Sequence, residues 1–177
     1  KVVKESNKRM VILHKTSKYT CNKSDLKKSY RQQIRSKLEQ SAVVWHSSLS
    51  QKCKDQLERV QKSALRIILG DQYINYKNAL KVLNLQSLEE RREFLCLKFA
   101  KKCLQVKKFR SMFPRKRQVH SMLKRDNDKF VIRRTFTERH KKSAIPHMQR
   151  LLNKAEKEKR KICKQVDQFV PVTSRLC

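Results

Sequence analysis

An all-α fold is predicted by three features of this 177-residue sequence. Helix breakers are scarce, apolar side chains recur every three to four residues through the first half of the chain, and capping residues precede several of these runs. Only 1 Gly and 3 Pro occur. Tight turns and β-bulges draw on Gly, and helix interiors exclude both residues. The expected organisation is a helical bundle over residues 1–106, a basic, partly irregular C-terminal arm over 107–153, and a charged helix or disordered tail over 154–177.

Residues 1–16 read as a short basic helix with Val3, Met10 and Leu13 on one side, broken between Tyr19 and Lys23. Ser24 is the expected cap of the second helix, with Asp25 in its first turn. Leu26, Tyr30, Ile34, Leu38 and Ala42 follow at i,i+4 steps and lead to Trp45, while Lys28, Arg31, Arg35 and Lys37 take the opposite face. His46 to Ser50 form a turn. Ser50 then caps a third helix with Cys53, Leu57, Val60, Ala64 and Ile67 as its stripe and Gly70 at its end, where a glycine belongs. Helices two and three are expected to pair as an antiparallel hairpin. Asn75 caps a short helix burying Tyr76, Ala79, Leu80 and Leu83. Ser87-Leu88-Glu89-Glu90 is a capping box that opens a fifth helix, with Leu88, Leu95, Cys96, Phe99, Cys103 and Leu104 inward.

Beyond Lys107 the period is lost. Pro114 and Arg115-Lys116-Arg117 mark an exposed loop, and Phe130 to Phe136 read as a short strand or extended arm. Ser143 to Asn153 read as a short helix interrupted or started near Pro146, residues 154–162 as a solvated helix at best, and the tail after Asp167 as disordered.

Charge narrows the partner. The formal net charge is +31, from 46 Lys+Arg against 15 Asp+Glu. Such an excess opposes compaction, and a polyanion relieves it; nucleic acid is the commonest one, with an anionic membrane surface as the rival. Residues 39–106 carry 12 basic and 7 acidic residues, whereas 1–38 carry 12 and 2 and 107–164 carry 21 and 5. The core is expected in the balanced middle and phosphate contacts in the flanks. The six Cys, with no secretory signal in view, read as reduced thiols of a nuclear or cytoplasmic protein. No apolar run approaches the ~18 residues of a membrane span, and nucleic acid rather than a membrane is the expected partner.

Four blocks carry a family resemblance. Asn7-Lys8-Arg9-Met10 with Leu13-His14-Lys15 comes first, and Ser41 to Leu49 with Val44-Trp45 is the second. Leu57 to Lys62 with Arg66-Ile67, Tyr76 to Leu85 and Leu88 to Arg92 form the third. Thr137 to His140 with Ser143 to Asn153 closes the set. In this order they resemble the region after the polymerase active site in reverse transcriptases of non-LTR retrotransposons of the Jockey-like kind. The resemblance spans roughly residues 5–153. It implies a thumb-like helical bundle that holds template–primer duplex, followed by a C-terminal extension. The aromatic-x-Asp-Asp turn of such polymerases is absent from the sequence, as is their endonuclease, and the chain starts at Lys rather than Met, which fits a fragment. No catalytic residue and no cofactor are therefore expected here. The Mg2+ of such enzymes goes with the upstream carboxylates, and the polymerase and endonuclease domains become partners in a longer chain.

The candidate nucleic-acid-binding residues are Lys28, Arg31 and Arg35 on the second helix and Lys62 and Arg66 on the third. In the arm they are Arg115, Lys116, Arg117, Arg133, Arg134, Arg139, Lys141 and Lys142. Backbone phosphates give affinity without sequence preference, which suits RNA–DNA hybrid, RNA or DNA. Phe130, Phe136 and His140 interleave with the arm cations and can stack unpaired bases, or the two Phe anchor the arm. Asp126-Asn127-Asp128 read as a turn rather than a metal site. Cys96/Cys103 and His140/His147 are each seven apart, which is not paired zinc spacing. Trp45 reads as a core anchor. Other readings of the chain are an independent basic RNA-binding protein, a helical protein-interaction module and a decayed element copy.

Overall fold

Val2–Tyr19 form α1, the first helix of a computed structural model that describes residues 2–19, 22–115, 129–132 and 134–169, the last ten by backbone alone. The chain divides into two compact units, Lys1–Leu95 and Cys96–Cys177. The division lies ahead of the expected boundary after residue 106. Among the described residues the secondary structure is helical, and β pairing is limited to one antiparallel bridge between Arg115 and Phe130. The all-α expectation holds.

In the first unit, α1 is followed by α2 (Lys23–Ser29), a π-helical segment (Tyr30–Arg35), α3 (Ser36–Glu39), α4 (Ala42–Trp45) and a 3-10 turn (His46–Ser48). Then come α5 (Gln51–Leu69), a second 3-10 turn (Gly70–Gln72), α6 (Tyr76–Val82) and the start of α7 (Leu88–Gln105). The long amphipathic helix α5 is the centre. It packs against α1, α2 and α6, with Leu57, Val60, Ala64, Leu65, Ile68 and Leu69 all buried. Against it lie Leu13 of α1, Leu26, Tyr30, Ile34 and Leu38 of the second helical run, and Ala79, Leu83 and Leu88. Each fully buried Leu contributes about 1.5–3 kcal/mol. Trp45 is half-buried against this core, and its indole N–H donates to Gln40 O at 2.9 Å.

Capping follows the expectation at three of four sites. Ser50 accepts from Cys53 N–H, Asn75 Oδ1 from Asn78 N–H at 2.7 Å, and Ser87 and Glu90 exchange bonds as a capping box. The fourth moves: Asn22, not Ser24, caps α2, its Oδ1 accepting from Ser24 N–H at 3.0 Å. Both residues are good caps, and the outer one gains half a turn of helix. Gly70 ends α5 at φ +53 and ψ −127, a conformation disfavoured for residues with a Cβ. Asn84 ends α6 in the left-handed region, with Leu85 N–H reaching back to Leu80 O.

The single second helix foreseen from Ser24 to Trp45 is instead interrupted twice. The i,i+4 run of Leu26, Tyr30, Ile34 and Leu38 drifts about 40° per step on a 3.6-residue helix. The π segment Tyr30–Arg35 widens the turn, and all four side chains stay buried. Ser41 at φ 54 then breaks the helix ahead of α4. Two further positions differ. Cys53 is exposed, at the first turn of α5, and on α7 the buried positions are Leu88, Arg92, Cys96, Ala100 and Cys103, leaving Phe99 46% exposed.

In the second unit, α8 (Lys107–Arg110), α9 (Glu138–Lys141) and α10 (Ala144–Phe169) follow the end of α7. Residues 143–169 were expected as separate pieces and a disordered end. Pro146 lies in the first turn of α10, where a missing N–H costs no helical bond, so one helix runs to Phe169. Phe113, Phe130, Met148 and Leu152 are buried. Asn153 clamps Phe130 from both sides: Oδ1 accepts from Phe130 N–H at 2.8 Å and Nδ2 donates to Phe130 O at 3.1 Å. Gln149 Nε2 donates to Met112 O at 3.0 Å. Of the short strand or extended arm expected at 130–136, Phe130 pairs with Arg115, and the other described residues of the stretch are outside regular secondary structure.

Candidate nucleic-acid interface

Three of the nine acidic residues of the first unit, Glu39, Glu58 and Glu89, are drawn into polar contacts among its helices. Glu58 accepts from Tyr76 Oη at 2.5 Å and from Glu89 N–H at 2.9 Å. Glu89 accepts from Lys54 Nζ at 2.7 Å, and Glu39 accepts from Arg35 Nε at 2.6 Å and Arg91 Nε at 3.3 Å. Arg92 is fully buried; its Nε donates to His46 Nδ1 at 3.3 Å, while Nη1 and Nη2 meet no protein acceptor. Burial pulls this guanidinium down from its ordinary value, and the Glu58, Glu89 and Glu39 carboxylates pull it back up. Burial, then the hydrogen bond to Glu58, holds the Tyr76 phenol far above its usual range, and burial does the same to Tyr30. The hydrogen bond from Lys54 lowers Glu89.

Among the predicted cations of this unit, Lys28, Arg31 and Arg66 are exposed and Lys62 is half-buried. Lys28 is exposed and loosely paired with Asp25 at 3.2 Å, and Arg31 is exposed one turn on. Lys62 and Arg66, one turn apart on α5, lie over the rings of Tyr76 and Tyr73 at 5.2 and 5.3 Å. A cation resting on a ring face keeps its donors outward and loses less freedom on meeting a phosphate. Arg35 departs from the expected outward face. Its side chain is 11% exposed and tied to Glu39, because the π segment turns it toward the core with Ile34.

In the second unit, Arg115 is half-buried, 4.9 Å above the Phe130 ring and 3.4 Å from Glu156. Arg134 and Arg139 are exposed. Lys141 and Lys142 share Glu138 at 3.2 and 3.9 Å. Phe130 is an anchor, 2% exposed, while Phe136 is 93% exposed. Lys116, Arg117 and Arg133 lie outside the described residues, as do Asp126-Asn127-Asp128. Of the predicted cations, Lys28, Arg31, Arg66, Arg134, Arg139, Lys141 and Lys142 are exposed, Lys62 and Arg115 are half-buried, and Arg35 is turned inward.

Sequence reasoning did not single out the inward set Glu39, Glu58, Arg91 and Arg92. Acids and bases at i,i+4 spacing along α7 and α5 look like any solvated helix; only the buried phase of Arg92, in step with Leu88 and Cys96, carried a signal. Among the described residues no group of three His, Cys, Asp or Glu converges as metal ligands, and no helix is long and apolar enough to cross a membrane. Cys53 and Cys103 carry free thiols. No family model, curated protein or solved structure matches the chain.

Proposed function

We propose that this chain is the thumb and C-terminal extension of a retrotransposon-type reverse transcriptase, holding template–primer nucleic acid by its backbone phosphates and lacking the polymerase centre. The observation that carries the binding part is the sorting of charge in the first unit. Glu39, Glu58 and Glu89 are engaged within the fold, whereas Lys28, Arg31, Lys62 and Arg66 present donors at the surface. The polymerase part rests on the ordered sequence blocks. In this reading Arg134, Arg139, Lys141 and Lys142 add a second, arm-borne contact, and Arg35 and Arg115 position the fold.

The test is affinity for an RNA–DNA hybrid against single-stranded RNA of equal length across a salt series. The clamp reading expects tighter hybrid binding with a steep salt slope. Binding that vanishes at moderate salt for both refutes it. One observation favours a second reading, an RNA-binding protein: Phe136 stands 93% exposed between Arg134 and Arg139, a stacking platform for unpaired bases. Stronger binding to the single strand would select it.

A further inference from the structure

A groove of about 740 Å³ opens where the second half of α1, the start of α2 and the end of α5 meet. Its apolar lining includes Leu26, Ile67 and Ile68, of which Leu26 and Ile68 are buried. Its cationic wall is Lys23 and Arg66, with the exposed imidazole of His14 beside them. Arg66 is steadied on the Tyr73 ring, and Lys23 is tied across the groove to the Gln72 amide. Gly70 closes the lining with backbone and leaves open space above it. Asp71 supplies an acceptor, which a base N–H can use and a phosphodiester cannot.

We infer that this groove seats one unpaired nucleotide of the bound strand, its base against the half-buried Ile67 and the open backbone at Gly70 and its phosphate on Lys23 and Arg66. The volume lies within the range of about 300–1,000 Å³ typical of small-molecule sites. An apolar lining beside two cations fits a base with its phosphate, whereas a plain phosphate track needs no apolar contact. The inference deepens the proposed nucleic-acid reading and rests on it.

The experiment uses the full chain and an RNA–DNA hybrid whose single-stranded RNA overhang carries 2-aminopurine, a base that brightens when unstacked. Strand binding is read separately by anisotropy. At saturating protein the emission is expected to rise, and the Lys23→Ala/Arg66→Ala double variant is expected to lose that rise at its own saturation. A Lys28→Ala/Arg31→Ala control is expected to bind more weakly and keep it. Saturable binding without brightening in the wild type overturns the groove inference and leaves the clamp standing. Brightening that survives in the double variant also overturns it. Absence of binding overturns both.

Discussion

The two units carry a cation excess on opposite terms. Residues 1–95 hold 21 Lys+Arg against 9 Asp+Glu, a net of +12, and residues 96–177 hold 25 against 6, a net of +19. The first unit fixes its helices with carboxylates: Glu58 joins α5 to α6 and α7, and Glu39 joins α3 to α7. The second, poorer in acids, fixes irregular backbone with neutral amides, Asn153 on Phe130 and Gln149 on Met112. Hydrogen bonds to an ionised carboxylate are about twice as strong as those between neutral groups. Amide joints are indifferent to pH and leave the scarce glutamates to hold individual cations.

The largest effect should come from Glu58→Ala. It removes two hydrogen bonds to a carboxylate beside the buried Arg92, with an expected loss of about 3 kcal/mol. Urea unfolding of the full chain reads it, and a loss no larger than that of an exposed Asp25→Ala would break the contrast. Asn153→Ala should cost about 2 kcal/mol, the worth of two bonds to buried backbone. Amide exchange at Phe130 should speed up while the helices of residues 1–95 keep their protection; equal loosening of both would show that the joints are not local.

Tyr30 sharpens the comparison from the other side. Its hydroxyl is buried without an acceptor, so Tyr30→Phe should stabilise by about 1 kcal/mol. The phenol is raised in the fold, so its neutral form contributes fully below the unfolded value of about 10 and that contribution is lost as pH climbs above it. The variant's advantage should therefore widen above about pH 10, measured by thermal unfolding at neutral and alkaline pH. A constant gap would contradict the burial argument. The two phenols raised by burial, Tyr30 and Tyr76, both fall in residues 1–95. Smallest in stability is the surface set. Lys28→Ala with Arg31→Ala should flatten the log K against log salt slope by about 2 with little change in stability. Arg35→Ala should do the reverse, costing about 1 kcal/mol and leaving the slope.

Much of the fold was legible because helices announce their ends. Ser50, Asn75 and Ser87 cap where their chemistry says they should, and the α5 stripe from Leu57 to Ile68 is buried as its spacing requires. The π segment was less visible, since i,i+4 steps also occur on an α-helix. The strict period of four over Leu26, Tyr30, Ile34 and Leu38 was the trace it left, too long for 3.6 and suited to a widened turn. The site was legible only by class. Composition marks the cations, but whether Arg31 faces out and Arg35 in depends on that same local rewinding. Glu58 gains its role from Tyr76 and Glu89, which lie 18 and 31 residues away.

The widened turn at Tyr30–Arg35 also bears on heredity. It amounts to a surplus residue lodged inside a helix, so an in-frame loss of one codon there would heal the helix and rotate everything after it by about 100° relative to what precedes it. Leu38 and Ala42 would swing away from α5 as Arg35 swings with them. Copies of such a gene are thus expected to vary in length at the loop around Ile74 far more readily than within this stretch, where a single lost codon disturbs more of the core than most substitutions do.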